Sequence, residues 1–293
     1  MKELVFIHGR SQHKKDSIAL KAQWIVAWKE GLDANGLPMP LAETDIHFPY
    51  YGQTLYDLVS GIPAAEAAEV IIRGTEGNVA EQAFVNAVLM ETAEQLAIPP
   101  EEIADASGEP VVRRGVLNWK WVQGILRVID RKVPGGSAAA IAVSTKDVYR
   151  YLYDPVVGGD IDEGVLKAIK PDVPTVVVAH SLGTVVGYRL LTAEGVKRKW
   201  RVPLFVTLGS PLGVTAIHEA LMPVRHPECV DAWYNAMDTR DVVSLYPLNE
   251  ARFKVDPAIE NNTSVRNETS NRHGISGYLS DKTVARRIYD ALR

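Results

Sequence analysis

The segment Thr175-Val176-Val177-Val178-Ala179-His180-Ser181-Leu182-Gly183-Thr184 constrains this chain more than any other. Threonine and three valines after Pro174 predict a strand buried on both faces, as in a parallel sheet covered by helices. Ser181 then sits in a small-X-Ser-X-Gly turn, and a helical apolar pattern continues from Val185 to Leu191. A strand that passes so abruptly into a helix needs a sharp turn, which small residues at 179 and 183 permit. Such a turn sets the Ser181 hydroxyl at the carboxyl edge of the sheet. The helix start also offers the Leu182 amide to a developing oxyanion. The Ser-X-Gly triplet alone is weak, since chance predicts about one in a chain of this composition and one is seen. Its strand-and-helix context carries the weight. The competing reading of Ser181 is an ordinary N-cap serine.

Around this segment the chain alternates strand and helix. Leu4 to Ile7 is a short apolar run stopped by His8-Gly9-Arg10-Ser11. A helix follows from about Ser17, with Leu20, Trp24 and Trp28 on one face, and Gly36 and Pro38 end it. Further strands are expected at Thr44 to Phe48, Leu204 to Leu208 and Ala232 to Ala236. A closing helix carries Val284, Ile288 and Leu292 on one face. This order predicts an α/β fold, a mainly parallel sheet of about six strands flanked by helices.

The stretch from 53 to 172 departs from the pattern. It holds a predicted helix at Val79 to Leu96, a proline- and acid-rich turn at Pro99 to Pro110 and the Trp119-Lys120-Trp121 segment. So long a connection between neighbouring strands far exceeds an ordinary crossover. Residues 1–52 therefore read as the first part of the core, 53–140 as a helical cap or lid insertion, and 141–293 as the rest of the core. Trp119, Trp121, Val122, Ile125 and Leu126 suit either an acyl-binding cleft beneath a lid or the core of a packed helix.

Composition narrows the function classes. The chain is 46% hydrophobic and 23% charged, as in ordinary globular proteins. Its net charge of −4, from 32 Lys+Arg against 36 Asp+Glu, advertises neither nucleic acid nor an anionic membrane. The single cysteine, Cys229, excludes an intramolecular disulfide and a Cys-rich zinc site, and is expected to be a buried structural thiol. No His-X-X-X-His spacing suggests a metal, and neither Gly9 nor Gly183 belongs to a phosphate-binding fingerprint. No cofactor is implied. No run approaches a membrane span, and Leu4 to Ile7 is too short for a signal-peptide core, so a cytoplasmic location is expected.

A serine nucleophile needs a base, and the base an orienting acid. Of seven histidines, His273 lies after the last core strand and before the final helix, where this strand order wants the base. His180 adjoins the serine, but the turn points it away from the hydroxyl, and His8 belongs to the turn after the first strand. His218 and His226 read as packed or exposed histidines. The acid should follow the strand ending at Ala236. Asp241, just before an apolar pair, fits better than Asp238, which reads as a turn former. The order Ser, Asp, His suits this architecture. At Gly9 the backbone amide of Arg10 is the candidate second oxyanion donor, unless Gly9 only closes a tight turn.

The chain resembles the α/β-hydrolase fold serine hydrolases, and among them the bacterial lipase- and esterase-like members. The matching pieces are Phe6-Ile7-His8-Gly9, Asp147 to Leu152, Ala179 to Thr184, Thr207-Leu208-Gly209-Ser210-Pro211-Leu212-Gly213, Trp233-Tyr234-Asn235 with Asp238 and Asp241, and His273-Gly274 with Gly277-Tyr278-Leu279. The stretch from 53 to 140 matches no part of that family. The resemblance implies Ser181 as nucleophile, Asp241 as acid, His273 as base, and Leu182 and Arg10 as oxyanion donors. The family usually carries two or more strands before the His-Gly strand, so the sheet is expected to be shortened at its N-terminal edge. The implied reaction is cofactor-free cleavage of a small-molecule or lipid ester through an acyl-enzyme. Thioesters and amides suit the same triad, and a catalytically silent binding or regulatory module on this scaffold is the alternative from another class.

Overall fold

A computed structural model of the chain describes residues 2–9, 17–51, 78–108, 110, 119–133 and 137–293. Its strands are β1 (Glu3–Ile7), β2 (Ile46–His47), β3 (Thr175–His180), β4 (Phe205–Leu208), β5 (Trp233–Ala236) and β6 (Glu260–Asn262). They form one six-stranded sheet in the order β2-β1-β3-β4-β5-β6, and every pair is parallel. β1 and β3 pair from Glu3 opposite Thr175 to Ile7 opposite Ala179. The chain leaves β1 toward β2 on one side and places β3 on the other. Open parallel sheets carry a ligand crevice at the carboxyl ends where the order reverses in this way.

The described helices are α1 (Ser17–Asp33), α2 (Val79–Gln95), α3 (Pro100–Ser107), α4 (Trp119–Lys132), α5 (Ser137–Tyr153), α6 (Pro155–Ala168), α7 (Leu182–Glu194), α8 (Thr215–Ala220), α9 (Ile275–Leu279) and α10 (Lys282–Leu292). Strand alternation splits the core into two layers. Leu4, Phe6, Val176 and Val178 face α1, α9 and α10, whereas Val5, Ile7, Val177 and Ala179 face the other side. That second layer also holds α2, α4, α5, α6 and α7. The expected common face of Val284, Ile288 and Leu292 is buried on α10.

Trp121, Val122, Ile125 and Leu126 are at most 4% exposed and share a core with Val5 and Val177. They are packing residues, so the structure takes the packed-helix alternative for them; the side chain of Trp119 lies outside the described residues. The boundary near residue 53 also lies outside them. The expected turn at Pro99 to Pro110 is instead a helix at Pro100–Ser107. Its proline stands in the first turn beside Glu101 and Glu102, which favour the positive helix start, and Gly108 closes it at φ 71°. The strand expected at Thr44 to Phe48 shortens to Ile46–His47, because Glu43–Asp45 coil into a 3-10 turn. β6, with the polar sequence Glu-Asn-Asn, had no apolar pattern to announce it. Cys229 is half-buried, and burial pushes its thiol up to about 11. Among the described residues, no helix is long and apolar enough to cross a membrane.

Candidate active site

β3 is buried along its whole length, and α7 begins one residue after Ser181. Ser181 connects them at φ 54°, ψ −128°, a backbone conformation a side chain rarely adopts. Such a residue stores about 1–3 kcal/mol of strain and persists only where its surroundings hold it. Here the Ser181 amide donates to the Leu208 carbonyl at 3.1 Å, and its own carbonyl accepts from the Thr184 amide and hydroxyl at 2.9 and 2.7 Å. The Thr184 hydroxyl also meets that of Ser210 at 2.9 Å. Crowding explains the small residues. A Cβ on Gly183 would collide with the Ile7 carbonyl, and one on Gly9 would lie 2.8 Å from the Ser181 Cβ.

The loops after β5 and β6 bring the expected partners to this turn. His273 Nε2 lies 2.9 Å from Ser181 Oγ, and His273 Nδ1 lies 2.8 Å from Asp241 Oδ2. A carboxylate only accepts, so Nδ1 carries the proton and Nε2 is left to accept from the serine hydroxyl. All three side chains are buried, Asp241 to 2% exposure. The Val243 amide donates to Asp241 Oδ1 at 2.9 Å, and the Tyr278 hydroxyl donates to Oδ2 at 2.7 Å. Both carboxylate oxygens are therefore fixed before the histidine is counted.

His273 is positioned just as closely. His180, beside the serine, turns away from its hydroxyl and donates from Nε2 to the His273 carbonyl at 2.8 Å. Burial pushes its pKa well below the usual range for histidine, so the ring is neutral. Asn271 Oδ1 accepts from the His273 amide at 3.1 Å, and the Thr269 hydroxyl accepts from the Gly274 amide at 2.9 Å.

Asp238 forms the expected turn, accepting the Arg240 amide at 2.8 Å, but its role is larger. It is fully buried, binds the Arg240 guanidinium at 3.0 and 2.7 Å, and accepts the Asn267 amide at 2.7 Å. Burial alone would raise its pKa, yet the hydrogen bonds from Arg240 and Asn267 outweigh that and hold it below the ordinary value. Asp238 thus ties the loop that carries Asp241 to the one that carries His273. Tyr278, His180 and the Asp238–Arg240 pair are the supporting residues that reading the sequence missed. Tyr278, His180 and the Asp238–Asn267 contact span 37, 93 and 29 positions with no local signature, whereas Arg240 lies two residues from Asp238.

Of the two expected oxyanion donors, Leu182 opens α7, so its amide is among the first-turn N–H groups with no acceptor inside the helix. Arg10 lies outside the described residues. His8, next to it in sequence, is stacked between Phe48 and Tyr51 with ring centroids 5.1 and 4.0 Å away. Its Nδ1 donates to the Gly9 carbonyl at 2.7 Å, and its Nε2 accepts from the Tyr51 amide at 3.3 Å. The Tyr51 hydroxyl donates to the His8 carbonyl. The turn after β1 is therefore held from its first residue. His218 and His226 lie elsewhere, each edge-on to an aromatic ring, as packed histidines do.

A cavity of about 440 Å³ opens over Ser181 and His273. It is walled by α1, α5, the start of α7 and the loop carrying His273. Among the described residues, no group of three or more His, Cys, Asp or Glu could hold a metal ion. No known family model matches the chain, and no curated protein or solved structure is significantly similar to it.

Proposed function

We propose that the chain is a serine hydrolase of the α/β-hydrolase fold that cleaves carboxylic esters through an acyl-enzyme on Ser181. One observation carries the reading: an unbroken hydrogen-bonded chain, Ser181 Oγ to His273 Nε2 and His273 Nδ1 to Asp241, built on a strained serine. An ordinary N-cap serine would bond the amides of its own helix, and the Ser181 side chain makes no such cap bond. The location also supports the reading, because the serine sits at the carboxyl edge of the sheet beside the strand-order reversal.

In this mechanism Ser181 Oγ attacks the ester carbonyl carbon as His273 Nε2 takes its proton. The new C–O bond leaves a tetrahedral oxyanion, which the Leu182 amide and the expected Arg10 amide stabilise. The imidazolium, held by Asp241, then gives its proton to the departing alkoxide as the ester bond breaks. Water attacks the acyl-enzyme with His273 as general base, which frees the acid and restores the serine. We read the insertion at 53–140 as the cap of this hydrolase. Hydrolysis of p-nitrophenyl acetate by the wild type and Ser181→Ala tests the proposal. The wild type should turn over, and the variant should lose at least a thousandfold in kcat while staying folded. Equal rates would end it.

A further inference from the structure

The Leu182 amide belongs to the same peptide as the Ser181 carbonyl. A peptide is planar and trans, so its N–H and C=O point in opposite directions, and fixing one aims the other. The Ser181 carbonyl is fixed twice, by the Thr184 amide at 2.9 Å and by the Thr184 hydroxyl at 2.7 Å. A carbonyl oxygen only accepts, so the Thr184 hydroxyl directs its proton there. The Ser210 hydroxyl, 2.9 Å away, therefore donates to Thr184 Oγ1. Ser210 Oγ accepts in turn from the Leu212 amide at 3.3 Å. A directed chain thus runs from the loop after β4 to the nucleophile turn: Leu212 N–H, Ser210, Thr184, Ser181 carbonyl. Thr184 and Ser210 are buried, so water does not compete for these bonds.

We propose that Thr184, backed by Ser210, is a positioning residue for the oxyanion site, its hydroxyl aiming and polarising the Leu182 amide; this rests on the serine-hydrolase reading above. A threonine that merely starts a helix accepts from a free amide of the first turn. Thr184 does the reverse and donates to a carbonyl that already has an amide partner. The Ser181 amide, bonded to the Leu208 carbonyl, fixes the preceding peptide, so the turn has little freedom on either side of the serine. Swinging the Leu182 N–H away would rotate its peptide and break both carbonyl bonds together. Donation to that carbonyl also draws charge through the peptide and strengthens its N–H as a donor, as along any chain of hydrogen bonds. An amide held in this way is aimed before the oxyanion forms, which is how such donors gain their effect.

The test measures p-nitrophenyl acetate hydrolysis by the full chain carrying Thr184→Val, Thr184→Ser or Ser210→Ala, with Ser181→Ala as the blank. Valine keeps the shape of threonine and removes the hydroxyl. Loss of a whole oxyanion donor costs about 10²–10³ in kcat, so a donor left in place but loosely held should cost about tenfold, with KM unchanged. Thr184→Ser keeps the hydroxyl and should restore kcat to within about twofold of wild type, whereas Ser210→Ala removes only the backing and should lose about threefold. The acid limb of kcat/KM against pH, which reports His273 in the free enzyme, should keep its midpoint in every variant. Wild-type kcat in Thr184→Val, or an equal loss in Thr184→Ser, overturns the inference and leaves hydrolysis by Ser181 standing. So does a loss confined to KM or a displaced acid limb. Should Thr184→Val not fold, Ser210→Ala decides, and wild-type kcat in that variant overturns the inference. Equal hydrolysis by the wild type and Ser181→Ala overturns both readings.

Discussion

Acidifying the protein from pH 7 to pH 5 charges His8 in the unfolded chain but leaves it neutral in the folded one. Burial drives the folded pKa down to about 4, against the opposing pull of the Gly9 and Pro49 carbonyls. The ring is only 1% exposed and stacked between two aromatic rings. Between the folded value and the unfolded value of about 6.5, the unfolded state binds more protons, so stability falls as pH falls. For these two values the loss from pH 7 to pH 5 is about 2 kcal/mol, and it levels off below pH 4. Other groups titrate in the same window, and His180 shifts in the same direction. The His8 share is therefore read as a difference. Urea unfolding of the wild type and His8→Gln at both pH values isolates it, whatever the variant costs at pH 7. The wild type should lose about 2 kcal/mol more than the variant between the two conditions. Parallel pH slopes would refute the reasoning, since they would mean that His8 takes up its proton equally in both states.

Two substitutions probe the scaffold of the site. Tyr278→Phe removes the hydroxyl that donates to Asp241 Oδ2 and accepts the Asp238 amide. A hydrogen bond to a carboxylate contributes about 1.5–3 kcal/mol, so kcat on p-nitrophenyl acetate should drop by about one to two orders of magnitude with KM unchanged. An unchanged kcat would show that Asp241 holds its place without Tyr278. Ser181→Gly places a residue tolerant of positive φ at 54°. Relief of strain, less the entropy cost of glycine, should stabilise the fold by about 1 kcal/mol in urea while activity disappears. A lower unfolding midpoint would mean that the turn is not strained.

What the sequence disclosed follows from which interactions are local. β3, β4 and β5 are short apolar runs buried on both faces, and their sequence pattern is distinctive. The sharp turn at Ser181 was legible because its steric needs fall on neighbouring residues, Ala179 and Gly183. Asp241 and His273 were legible through their places after β5 and before the final helix, which topology dictates. The supporting shell was not. Tyr278 reaches Asp241 across 37 positions, and His180 reaches the His273 carbonyl across 93. Neither pairing leaves a periodic trace. α3 was misjudged because Pro99-Pro100 and acidic residues suggest a loop in isolation. Read in position, the same residues are start signals for a helix that Gly108 closes. β6 draws its stability from β5 and from side-chain amides such as Asn261, which bonds Leu248 and Asn235, so hydropathy carried no sign of it.

The most direct test of the central claim is labelling of the purified protein with a fluorophosphonate probe, with the modified residue located by peptide mass spectrometry. The account predicts a single adduct on Ser181, formed at least a hundredfold more slowly in His273→Ala. An adduct on another serine, or equal labelling of Ser181 with and without His273, would contradict it.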